Sequence, residues 1–151
     1  LPDFKCYLSP VIDCFDGKVV ARRISLHPDA ELANSMLDDA IATLAENEHP
    51  VCHNDCGGHY RWPGWIERCE SAGITRSMSK KGCSPDNSAC EGFFGRLKNE
   101  FFYGRDWKGV TFEEFSRLLD EYIEFYNEGR IKKSLGWMSP NEYRRSLGLA
   151  A

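Results

Sequence analysis

The chain has 151 residues, 42% hydrophobic and 28% charged, a length and balance that fit one globular domain with its own core. No apolar run reaches the ~18 residues a membrane helix needs, and the start, Leu1-Pro-Asp-Phe-Lys5, has no basic region leading into an apolar stretch, so neither a membrane span nor a secretion signal is expected. The net charge of −4 argues against a protein that coats nucleic acid broadly with basic surface, though metal-binding carboxylates would count toward that negative sum.

Residues from Cys6 to Phe15 read as a strand, Asp16-Gly17 as a turn, and Lys18 to Ile24 as a second strand, making a hairpin. Pro10 marks an edge or bulge in the first of them. Pro28 opens a helix with Asp29 and Glu31 in its first turn. Leu32, Met36, Leu37, Ala40, Ile41 and Leu44 then recur at helical spacing as one buried stripe. Val51 to Asn54 reads as a short buried strand, and Gly57-Gly58 breaks it. A helix from Pro63 to about Glu70 stops at Gly73, and Ile74 to Ser77 gives another short strand. Ser79 to Ala89 is a loop, followed by one amphipathic helix from about Asp86 to Phe102. Thr111-Phe-Glu-Glu114 and Ser139-Pro-Asn-Glu142 are capping boxes that start two further helices. The alternation of strands and helices predicts an α/β fold with a mixed sheet and no internal boundary.

The seven cysteines are odd in number and, with no secretion signal, point to reduced thiols in a cytoplasmic protein. Cys52, Cys56 and His59 lack a second ligand pair at zinc-finger spacing, so a zinc site is the weaker reading. Basic residues gather in three places: Arg76 to Lys108, Arg130 to Lys133, and Arg144-Arg145. Solvated helix faces account for any one of these taken alone. Trp62, Trp65, Trp107 and Trp137 are assigned to core or interface, although exposed ones can stack on bases.

Two carboxylates stand apart by context. Asp55 follows a strand and precedes two glycines, a place from which a side chain faces a crevice at a sheet's end. Glu91 lies near a helix start after a polar loop, with 35 residues between it and Asp55. Phosphoryl transfer on DNA uses carboxylates that hold two hard cations ~3.5–4 Å apart, and magnesium and manganese prefer such oxygen ligands.

With 23 acids in the chain, spacing alone decides little; the neighbouring residues decide more. His53-Asn-Asp55-Cys-Gly-Gly-His-Tyr60 and Ser84-Pro-Asp-Asn-Ser-Ala-Cys-Glu91-Gly-Phe-Phe-Gly-Arg-Leu-Lys98 resemble the segments around the second and third acids of the Asp-Asp-Glu transposases of bacterial insertion sequences and of retroviral integrases. Tyr126-Asn-Glu-Gly-Arg130, Ser134-Leu-Gly and Ser139-Pro-Asn-Glu-Tyr143 resemble the C-terminal signature of that family. The likeness runs from about Cys6 to Leu149.

The resemblance implies a ribonuclease H-like fold, a mixed sheet flanked by helices. It also implies metal-dependent cleavage of element ends and strand transfer into target DNA. Asp55 and Glu91 would be catalytic acids and ligands of Mg2+ or Mn2+. Lys98, seven residues past Glu91 and expected on the same helix face, would contact element-end DNA, with Asn87, Lys80, Lys81 and Arg96 near the strand. Surface solvation is the competing reading for each of these basic residues. Tyr126, Asn127 and Arg130 are read as structural. The family works as multimers on paired ends, so DNA ends, target DNA and further copies of the chain are the expected partners, with no membrane.

The family's first acid sits in a strand ahead of the hairpin, and Leu1-Pro2 matches the linker that follows it. The chain is therefore expected to lack that first strand and to be inactive alone, as an N-terminally truncated core over 1–151 with a helical extension from about 111. Asp3, Asp13 and Asp16 are poor substitutes for the missing acid. Cys56 and Lys132 depart mildly from the family pattern. A non-catalytic fragment that binds DNA or transposase and inhibits transposition, and a ribonuclease H-like nuclease, are the alternatives.

Overall fold

The computed structural model describes residues 2–54, 62–78 and 88–151. In chain order it has β1 (Tyr7–Ile12), β2 (Val19–Ser25), α1 (Ala30–Ile41), β3 (Val51–Asn54), α2 (Pro63–Ser71), β4 (Thr75–Met78) and α3 (Ser88–Leu97). A π-helical turn (Lys98–Phe102), α4 (Phe112–Glu128), a 3-10 turn (Lys133–Leu135) and α5 (Pro140–Ser146) complete it. The α/β alternation expected from the sequence is present. Among the described residues the strands form two ladders: β1 with β2, and β3 parallel to β4 in the register Val51↔Thr75 to Asn54↔Met78. A parallel pair needs a crossover, and α2 lies within the one between β3 and β4. The chain divides into two compact units, one of residues 6–11 and 20–91, the other of residues 1–5, 12–19 and 92–151.

In the first unit the core comes from α1 and α2. Ala33, Met36 and Leu37 meet Trp65, Cys69 and Ile74, with Val11, Ile41, Leu44, Cys52 and Ala72 packed around them. Asp29 is the cap of α1: its carboxylate accepts from the Leu32 N–H at 3.0 Å, so the helix begins at Ala30, two residues later than expected, and Pro28 stands before it. Gly73, with φ of +70°, closes α2 as expected. The Ile74 N–H reaches the Cys69 carbonyl at 2.8 Å and the Gly73 N–H reaches Glu70 at 3.1 Å, a Schellman close that folds buried Ile74 back on Cys69. β3 corrects the sequence reading. Val51 is 65% exposed and His53 is exposed, whereas Cys52 and Asn54 are half-buried. This strand packs one face on the helices, so its side chains alternate, and a four-residue apolar run does not reveal that in advance.

The second unit is built on α4. Thr111 caps it, accepting from the Glu114 N–H at 3.2 Å. Phe115, Leu119, Tyr122, Ile123, Tyr126 and Asn127 form its buried face. Phe101, Trp107, Phe115 and Tyr122 pack ring to ring, with centroids 4.9 Å apart for Trp107 and Phe115 and 5.6 Å for Phe101 and Tyr122. The helix expected to run on to Phe102 instead ends at Leu97 and widens into the π turn. Ser139 accepts from the Glu142 N–H at 3.3 Å and starts α5, as the second capping box predicts.

The hairpin loop is held within this unit. Gly17 has φ of +81°, a backbone conformation that favours glycine, and the Lys132 ammonium lies close over it. Asp16 accepts from the Lys18 N–H at 3.0 Å, the turn role assigned to it from sequence, and is itself buried against Arg144. Asn127 accepts from the Val19 N–H at 2.9 Å and donates to the Val19 carbonyl at 3.0 Å. Replacing Asn127 with leucine would strand both buried backbone groups, and a loss of about 2–4 kcal/mol is expected in urea denaturation at neutral pH. A loss below about 0.5 kcal/mol would mean that the clamp contributes nothing to stability.

Candidate functional site

The two ends of a parallel βαβ unit set the stage. The register brings the C-terminal ends of β3 and β4 level, and the His53 Nδ1 lies 2.9 Å from the Ser77 hydroxyl across the ladder. Asp55 is the next residue after β3. It lies outside the described residues, as do Asn87, Lys80, Lys81, Cys56, His59 and the glycine pair 57–58. Glu91 is described. It stands in the first turn of α3, exposed, with no hydrogen-bond or ion-pair partner among the described residues. The unpaired N–H groups of a first helical turn favour a carboxylate there. A solvent-facing carboxylate not used by the fold is the kind of oxygen donor that a hard divalent cation takes. No group of three or more metal-ligating side chains occurs among the described residues.

Of the basic candidates, Lys98 and Arg96 are described, both in the second unit, and they differ. Lys98 opens the π turn and is exposed, with no partner among the described residues. Arg96 is half-buried. Its Nη1 donates to the Tyr126 hydroxyl at 3.1 Å, and its guanidinium folds over Gly92, where a Cβ would meet it at 3.3 Å. Tyr126 also packs edge-on against Phe93 at 5.1 Å, with Lys132 5.1 Å from its ring centroid. Together with the Asn127 clamp, these contacts give the Tyr126-to-Arg130 signature a packing role, in keeping with the structural reading of it.

Glu100 is the residue that sequence reasoning passed over. Arg130 grips it through a fork, Nε to Oε1 at 2.8 Å and Nη2 to Oε2 at 2.7 Å, and the Tyr122 hydroxyl donates to Oε1 at 2.8 Å. The Arg130 guanidinium, aided by Tyr122, holds the Glu100 carboxyl below the ordinary range. Burial, then the neighbouring carboxylate, pushes the Tyr122 phenol up. No local pattern marks Glu100, because its partners lie 22 and 30 positions away.

The competing sites are weaker. Burial pushes the Cys69 thiol up to about 11 and raises that of Cys52, which suits inert core thiols. Trp65 and Trp107 are buried, and Trp107 donates to the Phe102 carbonyl at 2.9 Å. Trp62 and Trp137 are exposed, so of the two places expected for tryptophans, core or interface, the core holds Trp65 and Trp107 alone. Asp13 and Asp16 are engaged by Arg144, which fits their dismissal as catalytic acids. No described helix is long and apolar enough to cross a membrane.

The chain matches the integrase core domain family over residues 1–84 and again over residues 91–147. It is 60% identical over 149 residues to a probable transposase for insertion sequence element IS1353 from Shigella flexneri, covering 99% of this chain and 29% of that protein. It is 39% identical over 149 residues to an uncharacterized transposase-like protein of Haemophilus influenzae, covering 95% of this chain and 68% of that one. A chain of the simian T-cell lymphotropic virus intasome, solved in complex with the PP2A regulatory subunit B56 gamma, superposes with a TM-score of 0.66 at 18% identity, over 87% of this chain and 51% of its own. The fold is thus the ribonuclease H-like α/β fold. The chain belongs to the integrase core domain family, as the motifs around Asp55 and Glu91 led one to expect.

Proposed function

We propose that this chain is the catalytic core of an insertion-sequence transposase that cuts element ends and joins them to target DNA with divalent metal. One observation carries the reading: Glu91, the acid that the motif selects, is exposed in the first turn of α3 and has no partner among the described residues. Support comes from the family match on both sides of it and from the transposase named among the relatives.

Asp55 and Glu91 would hold Mg2+ or Mn2+. Cations held there supply charge neutralisation at the attacking and leaving oxygens of the scissile phosphate. The chain's own residues supply position. Lys98, exposed and without a partner among the described residues, takes a phosphate of the element end. Lys80, Lys81 and Asn87 approach the same strand, and Arg96 adds a guanidinium that Tyr126 holds in place. In this reading water, and then the freed 3′-hydroxyl, attacks phosphorus in line. Rate comes from alignment and charge stabilisation with no covalent enzyme intermediate. DNA and further copies of the chain are the partners, and the helices from about 111 form an extension of a single core over 1–151.

The test is strand transfer on labelled DNA ends, run with this chain and with a longer polypeptide that extends it upstream through the strand bearing the family's first acid. Product is expected from the longer form with manganese, and none after chelation by EDTA. Metal-independent cleavage would sink the reading. Product from this chain alone would place the third acid within it.

A further inference from the structure

We propose that Arg130, acting through Glu100, is a positioning residue for Lys98: it locks the π turn that sets the direction in which Lys98 leaves the helix. The inference rests on the reading of Lys98 as a DNA contact.

The π turn is an exception to what its residues favour, since Lys, Asn, Glu and Phe all continue an α-helix readily enough. The Tyr103 N–H nonetheless reaches past the α-helical partner to the Lys98 carbonyl at 2.7 Å. Phe101, within the turn, is buried, as are Phe93 and Leu97 before it. Trp107 and Tyr122 hold Phe101 there, with centroids 5.2 and 5.6 Å away.

Three anchors keep the turn wide. Phe101 is buried among rings, and the Trp107 indole N–H satisfies the Phe102 carbonyl. Glu100, between Lys98 and Phe102, is gripped by the Arg130 fork and the Tyr122 hydroxyl. Of the three, the Glu100 grip is polar and half-exposed, with Arg130 at 22% and Glu100 at 36% side-chain exposure. Lys98 has no side-chain partner among the described residues, so the backbone sets the direction in which its side chain leaves the helix and hence the space its ammonium can sweep. Rewinding the turn into α-helix would rotate Lys98 against fixed Phe101 by up to about one residue's step, 100°. Wide turns of this kind recur at functional sites for this reason.

The experiment is fluorescence anisotropy of a fluorescein-labelled DNA duplex titrated with this chain over a series of salt concentrations. Arg130→Lys keeps the charge and removes the fork; Tyr122→Phe alters no charge at all. Lys98→Ala is expected to weaken binding by up to about fivefold, the range of an exposed ion pair, and to lower the salt slope by about 0.9. Arg130→Lys and Tyr122→Phe are expected to do the same in part. Neither should weaken binding further once Lys98 is alanine. Additive losses in the double variants would overturn the proposal while leaving Lys98 a DNA contact, as would unchanged binding in both single variants. Unchanged affinity and slope in Lys98→Ala would overturn the reading of Lys98 and the proposal with it. Circular dichroism checks that each variant is folded; if Arg130→Lys is not, Tyr122→Phe decides the question.

Discussion

In the longer polypeptide that carries the family's first acid, Glu91→Gln is expected to lower strand transfer by about a thousandfold or more while leaving the unfolding midpoint where it was. A carboxylate that holds a catalytic cation contributes several kcal/mol to the transition state, and each 1.36 kcal/mol is tenfold in rate, so a loss of about 4 kcal/mol gives that factor. Glutamine keeps the volume and one oxygen but removes the charge a hard cation requires. The stability half of the prediction follows from Glu91 being exposed and unpaired among the described residues, where substitutions usually shift stability by less than about 0.5 kcal/mol. Manganese titration by calorimetry gives an independent readout, since the variant should lose most of its binding heat. Full activity in Glu91→Gln would remove Glu91 from the site. Lost activity with an equally lost midpoint would make it a structural residue. Asp55→Asn is expected to match the activity loss, because both acids serve the same cations.

Which features were legible in advance follows from the range of the interactions involved. The helix caps at Thr111 and Ser139 and the stop at Gly73 were readable because each is a contact within a few residues, written into a local pattern. The buried face of α4 was readable because Phe115, Leu119, Tyr122, Ile123 and Tyr126 recur at helical spacing. The π turn was not: Lys98 to Phe102 carries ordinary helical residues, and its width is imposed by Phe101, Trp107 and Arg130, contacts that only the fold brings together. The exposure of Val51 escaped for a similar reason, since four residues are too few to distinguish a strand buried on both faces from one buried on a single face. The candidate acids were found by motif rather than by pattern. Asp55 and Glu91 are two among 23 acids, and nothing in their periodicity marks them. Arg96 reads in sequence as a phosphate contact, with surface solvation as the competing reading; its hold on Tyr126 is not legible there, because that partner lies 30 positions on.

The largest loss of stability is expected at Arg144. Its guanidinium joins Asp16, whose side chain is wholly buried, and also reaches Asp13 at 2.8 Å. Burial alone would push the Asp16 carboxyl up; the Arg144 hydrogen bond and charge, with the Lys18 N–H, more than offset it and hold it below its ordinary value. Removing one partner leaves the other charge buried and uncompensated, which typically costs about 3–5 kcal/mol. Arg144→Gln is therefore expected to lose about that much at neutral pH. The Asp13 contact adds little, since its side chain is 41% exposed and solvent screens it. The pH dependence separates this account from simple loss of packing. A carboxyl with a depressed folded pKa stabilises the fold above its unfolded value of about 3.9, and that contribution is lost as pH falls through the folded pKa. The parent chain should thus weaken in acid. In Arg144→Gln the same carboxyl is buried without its cation, so burial raises its pKa, and mild acid should stabilise the variant by letting Asp16 take a proton. Urea unfolding of both chains from neutral pH down to about pH 4 should show the gap between them closing. A gap that stays constant would mean that Arg144 contributes packing alone, and that the hairpin loop is held to α5 by shape and not by charge.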